Sequence, residues 1–303
     1  MPDTPSHKDD TNLKHSERPG PFSGRRILVT GASRGIAAAI ALALGRAGAQ
    51  VLLHHCAEVD AASGFEDAAA RLKAAIDQGT GSAHILDADL TVPGAGSDLA
   101  TKALAAHGPI DSVVLSASIQ IHKPILLQTM PEVERQVRIN LFANIEILQH
   151  LIPGMAEHGF GRILAIGSVQ EVAPSAEMPV YSLTKAALKN LVENLAVQTG
   201  ASGITVNNLA PGLIETDRNA FRRKDAEAWE RMARSANPVG RAGLPHDMVA
   251  PALFFLSSDS SFVTGASLYA TGGAHIRNNS ADGRPPKLML PEMAGDLTRK
   301  PGQ

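Results

Sequence analysis

A single cysteine, Cys56, stands in a chain of 303 residues, so no intramolecular disulfide can form and the chain reads as cytosolic. Aromatic residues are scarce, 8 Phe, 2 Tyr and 1 Trp, which leaves little for stacking on bases. Neither sign of charge is in excess. The 28 Lys+Arg and 30 Asp+Glu give a formal net charge of -2, hence no basic field for a phosphate polymer or an anionic membrane. Long apolar runs are also missing. The longest, Ile36 to Leu44, is far short of the ~20 residues a membrane span needs. Met1 to Arg18 is charged and lacks the apolar segment of a secretion signal. Nucleic acid and membrane are thereby set aside as partners, and a small molecule is expected.

What is present is a repeated alternation. Short apolar runs at Ile27 to Val29, Val51 to Leu53, His84 to Leu86, Ser112 to Leu115, Ile163 to Ile166, Ile204 to Asn207 and Leu268 to Ala270 are candidate strands. Between them lie apolar residues at helical spacing, such as Ile36, Ile40, Ala43 and Leu44, or Val137, Leu141, Ile145, Leu148 and Ile152. Short runs bounded by turn residues suit strands buried on both faces, and their alternation with helices implies a parallel sheet with right-handed crossovers. The fold class is α/β: a doubly wound parallel sheet of about seven strands, helices on both faces, in one domain spanning 24–273. Residues 1–23 mix Pro, Ser and both charges and read as a disordered tail. Residues 274–303 read as a second tail, or as an arm carrying Leu288, Met289, Leu290 and Met293.

Directly after the first candidate strand comes Thr30-Gly31-Ala32-Ser33-Arg34-Gly35-Ile36-Ala37. Gly31 allows a tight turn, Gly35 lets the backbone approach a pyrophosphate, and the helix that follows offers free N–H groups to the anion. Ala37 fills a position that is often Gly and serves helix-on-strand packing. No GxxxxGK(S/T) run is present, so a dinucleotide is expected rather than a nucleoside triphosphate. At the end of the second strand, where an acid would select NAD, the residues are Leu53-His54-His55-Cys56. With no acid there and Arg34 in the glycine loop, NADP is favoured, with NAD as the alternative. His54, His55 and Cys56 are consecutive and point to alternate faces of a strand, which spoils joint ligation, so no metal is expected.

Tyr181-Ser182-Leu183-Thr184-Lys185 places a phenol and an ammonium on one helix face. A close cation favours the phenolate, which makes Tyr181 usable as a general acid/base. Ser168 follows the run Ile163 to Ile166, at the strand end where open α/β sheets bind ligands. It could hold a substrate oxygen, or cap a turn. Asn140 sits within a helical pattern for which Asn is poorly suited. It either packs locally or carries a water in a proton chain.

These residues together resemble the short-chain dehydrogenase/reductase superfamily. The matching motifs are TGASRGIA, Asp87-Ala88-Asp89-Leu90, Asn140, Ser168, Tyr181 with Lys185, Asn207 to Gly212, Thr216, Val263-Thr264-Gly265 and Gly272-Gly273. They fall in order across residues 24–273. The resemblance implies a Rossmann fold and an Asn-Ser-Tyr-Lys tetrad, here Asn140, Ser168, Tyr181 and Lys185. In it Ser168 orients the carbonyl or hydroxyl and Tyr181 exchanges its proton. Lys185 binds the nicotinamide ribose and lowers the Tyr pKa, and Asn140 supports the relay. The resemblance also implies that Asp89 contacts the adenine and that Ile214 and Thr216, after Pro211-Gly212, hold the nicotinamide. Ser33, Ile36, His55, Leu90 and Ser116 are further candidate cofactor contacts. The chain departs from the family at Leu115-Ser116-Ala117-Ser118, where Asn-Asn-Ala-Gly is usual. Losing the Asn side chains removes the ordinary brace of the central sheet, and Ser118 adds bulk where Gly allows close approach.

The expected activity is hydride transfer between NAD(P) and a secondary alcohol or ketone. A non-catalytic nucleotide sensor or scaffold on the same fold is the alternative of another class. Ser168-Val169-Gln170-Glu171-Val172 resembles the corresponding loop of bacterial glucose 1-dehydrogenases. Ser118, Gln120, Gln170 and Glu171, with His122, are accordingly candidate contacts to a sugar or polyol. Leu213 to Pro245, with Phe221, Trp229 and Met232, reads as a lid whose apolar residues equally suit a 3-oxo or cyclic ketone. The resemblance further implies a homotetramer or homodimer formed through the helices near Glu134 to His150 and Val180 to Thr199.

Overall fold

In a computed structural model, which describes residues 20–276, each apolar run becomes a strand of one sheet. The strands are β1 (Arg26–Val29), β2 (Gln50–His55), β3 (Ser82–Asp87), β4 (Ser112–Leu115), β5 (Gly161–Ile166), β6 (Ile204–Pro211) and β7 (Ser267–Ala270). Their order is β3-β2-β1-β4-β5-β6-β7, with every pair parallel. The helices are α1 (Gly35–Arg46), α2 (Ala57–Ala62), α3 (Ala68–Asp77), α4 (Ala95–His107), α5 (Met130–Val137), α6 (Ala143–Glu157), α7 (Pro179–Thr199), α8 (Ala226–Ser235) and α9 (Val249–Leu256).

Successive strand residues face opposite sides, so each strand feeds two cores. Ile27, Val29, Leu164 and Ile166 pack with Ile40 and Leu44 of α1, Ile76 of α3 and Phe255 of α9. Leu28, Ile163 and Ala165 pack with Leu99 of α4, Ile147 and Leu151 of α6 and Leu188 of α7. This is the doubly wound architecture that the alternating pattern implies. Chain order reverses between β1 and β4, and the crevice at their C-terminal ends is where such sheets receive ligands.

Of the strands that extend beyond their apolar runs, β2 and β6 run furthest past the C-terminal end. β2 continues through His54 and His55, and β6 through Asn208 to Pro211, because their backbones stay paired with β3 and with β5 and β7. Phe22, which composition alone puts in the N-terminal tail, is buried in the first core, its N–H donating to Ala47 O. Residues 1–19 and the arm residues from 277 on lie outside the described residues. Thr129 and Glu132 form a capping box that starts α5. A π-helical turn, Arg138–Phe142, joins α5 to α6. No helix among the described residues is long and apolar enough to cross a membrane.

Candidate active site

A cavity of about 570 Å³ runs along the C-terminal strand ends. At one end the loop from β1 to α1 turns through positive φ at Gly31 (+66°) and Gly35 (+63°). A Cβ on Gly31 would stand 3.0 Å from Ala117 Cα, so only glycine lets this loop lie flush against the loop after β4. Thr30 Oγ1 accepts from the N–H groups of Ser116 (2.9 Å) and Ala117 (3.0 Å). This hydroxyl braces the switch point where the family's Asn side chains are missing.

The two histidines of β2 diverge, as strand geometry requires. His54 Nδ1 accepts from Gly31 N–H at 3.1 Å, and its Nε2–H donates to Ala88 O at 3.1 Å. Burial above all pushes its pKa down to about 4, so a neutral ring bridges the glycine loop to the end of β3. His55 turns to the other face, its Nδ1 2.9 Å from Asp60 Oδ2. The Asp60 carboxylate also accepts from Ser33 Oγ at 3.0 Å and lies 3.7 Å from Arg34 Nη2. Arg34 stacks over Phe65, 4.7 Å from the ring centre. Asp60 escapes the sequence reading, which looked for an acid within the strand. Here α2 folds one back beneath the loop, 3% exposed, with Ser33, Arg34 and His55 gathered around its carboxylate.

The other wall is built from β5 and α7. Ser168 caps the turn Val169–Glu171, its Oγ accepting from Gln170 N–H at 3.2 Å. Tyr181 and Lys185 lie one helical turn apart, with Lys185 Nζ 5.7 Å from the centre of the Tyr181 ring. Nζ donates to Ile166 O at 2.7 Å. Burial first, then the charge of Arg218, pushes the Lys185 pKa down to about 7. Asn140 lies behind this wall and does not line the cavity. Its Oδ1 accepts from Ile119 N–H (2.9 Å), and its Nδ2 donates to Ile119 O (2.9 Å) and Thr184 Oγ1 (3.0 Å). Its side chain thereby ties the loop after β4 to α7.

Every other candidate cofactor residue reaches the cavity surface: Gly31, Ser33, Arg34, Gly35, Ile36, His55, Asp89, Leu90, Ser116, Pro211, Gly212, Ile214 and Thr216, with Tyr181 and Lys185. The Asp89 carboxylate caps its own turn, accepting from Thr91 N–H (2.8 Å) and Oγ1 (2.7 Å). Of the substrate candidates, Ser118, Gln120 and Gln170 line the cavity and Glu171 does not. Expected to face substrate, Glu171 instead turns inward. Its carboxylate accepts from Asn208 Nδ2 at 2.8 Å and Ser168 N–H at 3.4 Å, and burial raises its pKa. Gly167 makes room for it, since a Cβ there would meet Glu171 Oε2 at 2.5 Å. Among the described residues no cluster of three His, Cys, Asp or Glu is placed to hold a metal.

A short 3₁₀ segment, Asp217–Lys224, gives the cavity lining Asp217, Arg218, Asn219 and Arg222, and α8 gives it Met232. From that segment Arg218 reaches across to Ser118, donating to its O at 2.7 Å and its Oγ at 3.1 and 3.2 Å. Phe221 meets His122 edge-on, 5.8 Å between ring centres. Arg218 and Arg222 both line the cavity, and sequence reasoning passed over both.

A family model described as Enoyl-(Acyl carrier protein) reductase matches residues 31–275. The L-rhamnose 1-dehydrogenase (NADP(+)) of Thermoplasma acidophilum is 36% identical over 256 residues, covering 84% of this chain and 98% of the relative. The gluconate 5-dehydrogenase of Gluconobacter oxydans is 34% identical over 265 residues, covering 84% and 96%. Among solved structures, a 3-oxoacyl (acyl-carrier-protein) reductase from Agrobacterium tumefaciens C58 with NADP bound aligns with a TM-score of 0.79 at 39% identity, covering 86% of this chain and 98% of that one.

Proposed function

Since the chain belongs to the short-chain dehydrogenase/reductase superfamily and is an NAD(P)-dependent oxidoreductase, we propose that it uses NADP to act on a secondary hydroxyl of a sugar or polyol. The observation that carries this reading is one cavity with a positive-φ glycine loop at one end and Ser168, Tyr181 and Lys185 together on the facing wall. The residues fit a dinucleotide: Gly31 and Gly35 leave the loop backbone bare at the N-terminus of α1. Arg34 and His55 would face the 2′-phosphate, Asp89 the adenine, Lys185 the nicotinamide ribose, and Pro211 to Thr216 the nicotinamide. When bound, the nicotinamide supplies the hydride acceptor or donor.

The chain's own residues orient the substrate and move the proton. Ser168 Oγ holds the substrate oxygen, and the Tyr181 hydroxyl exchanges the proton with it. Lys185, fixed by Ile166 O, keeps a cation beside Tyr181. Asn140 acts as a positioning residue through Ile119 and Thr184. The sugar reading draws on the names of two relatives and on the polar lining at Ser118, Gln120 and Gln170.

Tyr181→Phe should lower turnover about 10³-fold while leaving NADPH affinity within about twofold. Unchanged turnover would sink the mechanism. Polyols, sugars, 3-oxo compounds and cyclic ketones should be screened with both cofactors. If no polyhydroxy compound is oxidised, the sugar reading falls. The second reading, a 3-oxo or cyclic ketone, then takes its place, favoured by Met178, Leu213 and Met232 in the lining and by the 3-oxoacyl reductase likeness.

The same reading makes the protein a cytoplasmic homotetramer or homodimer. Support comes from Phe142, Leu183 and Val197, apolar side chains exposed at 43%, 62% and 87% along the π turn and α7. Light scattering at micromolar concentration should give a dimer or larger, and a monomer would remove the assembly.

A further inference from the structure

The proton chemistry above uses no fixed charge at the substrate end, yet the lid brings two arginines there. Arg218 has no ion-pair partner among the described residues and hangs on the uncharged Ser118. Arg222 has only a distant counter-ion, Glu177 Oε2 at 3.9 Å, on a side chain 70% exposed. It also touches the Met232 sulfur at 3.5 Å and lies over the Phe221 ring, 5.5 Å from its centre. Arg223, one residue on, is an internal control: it is fully answered by Glu215 at 2.6 Å and Thr216 O at 3.3 Å. Arg135 of α5 and Asp217 also line the cavity. The cationic field reaches the reacting groups. Behind the effect of burial, Arg218 helps to lower the Lys185 pKa against Glu171, and Arg222 and Arg218 help to lower that of His122 against Glu177. Arg218 is exposed and Arg222 half-buried, so both stand at the rim of the cavity, where under-answered cations call for an anion from the ligand.

Resting on the sugar or polyol reading, we propose that Arg218 and Arg222 are specificity-determining residues that bind a carboxylate carried by the substrate, so that the preferred substrate is a sugar acid rather than a neutral sugar. The remaining lining at this end, Ser118, Gln120 and Gln170, supplies the hydroxyl-recognising groups such a compound needs. Gln170 is already oriented, its Oε1 accepting from Ser175 N–H at 2.7 Å and Ser182 Oγ at 2.8 Å. The cofactor's diphosphate offers the same chemistry to a guanidinium. The glycine loop and the α1 N-terminus already provide for that group, and Arg222 lies against Met232 and Phe221, the latter packed on His122.

The test compares gluconate with glucose and glucitol in the unaltered enzyme, Arg218→Gln, Arg222→Gln and, as a charge control outside the cavity, Arg231→Gln. Expected is a kcat/KM for gluconate at least about tenfold above the neutral compounds. Each lid variant should lower it about tenfold, mostly through KM, and change the neutral substrates less than about threefold. NADPH affinity, read by nucleotide fluorescence, should stay within about threefold in all variants, and Arg231→Gln should match the unaltered enzyme. Trp229, the chain's one tryptophan, stands in the lid helix. Its emission in NADP-loaded Tyr181→Phe enzyme should respond to gluconate, and Arg222→Gln in the same background should remove the response. Equal losses for charged and neutral substrates, or no preference for gluconate while neutral sugars react, would overturn the proposal. A fall in NADPH affinity in Arg218→Gln would give that residue to the diphosphate instead. If no polyhydroxy compound of either charge reacts, the sugar reading itself fails, and this inference with it.

Discussion

The two walls of the cavity are held in opposite ways. Ser168, Tyr181 and Lys185 are 8%, 6% and 2% exposed, backed by Asn140 at 0%; Lys185 is fixed on Ile166 O, Ser168 on Gln170 N–H and Asn140 on the Ile119 backbone. The lid wall is a short 3₁₀ segment and one amphipathic helix. Its charged side chains stand at the surface and make ion pairs that are partly open to water, such as Arg223 to Glu215 at 29% and 37% exposure. Proton transfer needs groups held to a fraction of an ångström, and burial supplies that. Substrate selection needs a surface that can open and be varied, and exposed segments supply that.

Under the proposed mechanism, substitutions on the wall of Ser168, Tyr181 and Lys185 should strike turnover and pH-dependent stability, whereas those on the lid should strike KM. The largest effect is expected for Lys185→Met, a loss of about 10²- to 10⁴-fold in kcat/KM. It has a second signature. The folded-state pKa of Lys185 is depressed from 10.5 to about 7. The cost of keeping the buried ammonium charged is thus present in full below pH 7 and fades as pH rises towards 10.5. Stability from this site rises with pH over that window, and Tm measured from pH 7 to 10 should lose that part of its slope in the variant. A variant that kept the slope would show that Lys185 is not the group responsible.

Next comes His54→Leu, at the cofactor end. It leaves Gly31 N–H and Ala88 O without partners, at about 1–3 kcal/mol, which should appear as a Tm lowered by several degrees. His54 is depressed from 6.5 to about 4, so its contribution is present above pH 6.5 and is lost as pH falls through that range to 4. Acid titration of Tm should be flatter in His54→Leu between those values. The smallest effect is expected for Arg223→Gln. At its exposure the ion pair contributes less than about 1 kcal/mol, so Tm should barely move, while substrate KM should rise a fewfold at constant kcat. A drop in kcat comparable to that of Lys185→Met would erase the distinction between the walls.

The five inner strands could be read from apolar runs because a strand buried on both faces carries few polar residues to interrupt it, and the partly exposed edge strands β3 and β7 could be read from the shorter runs at Ile85 and Leu268. Where the runs stop, the reading stops short: His54, His55 and Asn208 are buried polar residues kept in β2 and β6 by backbone pairing that composition does not encode. The glycine loop and the Tyr181/Lys185 pair were legible because their chemistry depends on short, fixed spacing. Asp60 was not, since its carboxylate arrives from α2 rather than from the strand where an acid is usually sought. Arg218 was missed for a related reason. Its partner Ser118 lies in a distant loop, and an arginine in an exposed segment looks like any other solvated charge. Glu171 was misplaced because a glutamate after a strand does not reveal which way it turns, and here Gly167 and Asn208 open the inward route.

The π turn at Arg138–Phe142 makes this protein's active site sensitive to reading length as well as to residue type. A π turn holds about one residue more than an α turn, and Asn140 occupies this widened stretch. Each residue of an α-helix advances the chain by about 100°. Loss of a single codon between 138 and 142 would leave composition and hydropathy nearly unchanged. The turn would then close to α geometry with Ile147 and Leu151 still facing the core, while Asn140 would lose its place opposite Ile119. Homologous sequences aligned across this stretch can therefore be sorted by insertion count before a single side chain is compared.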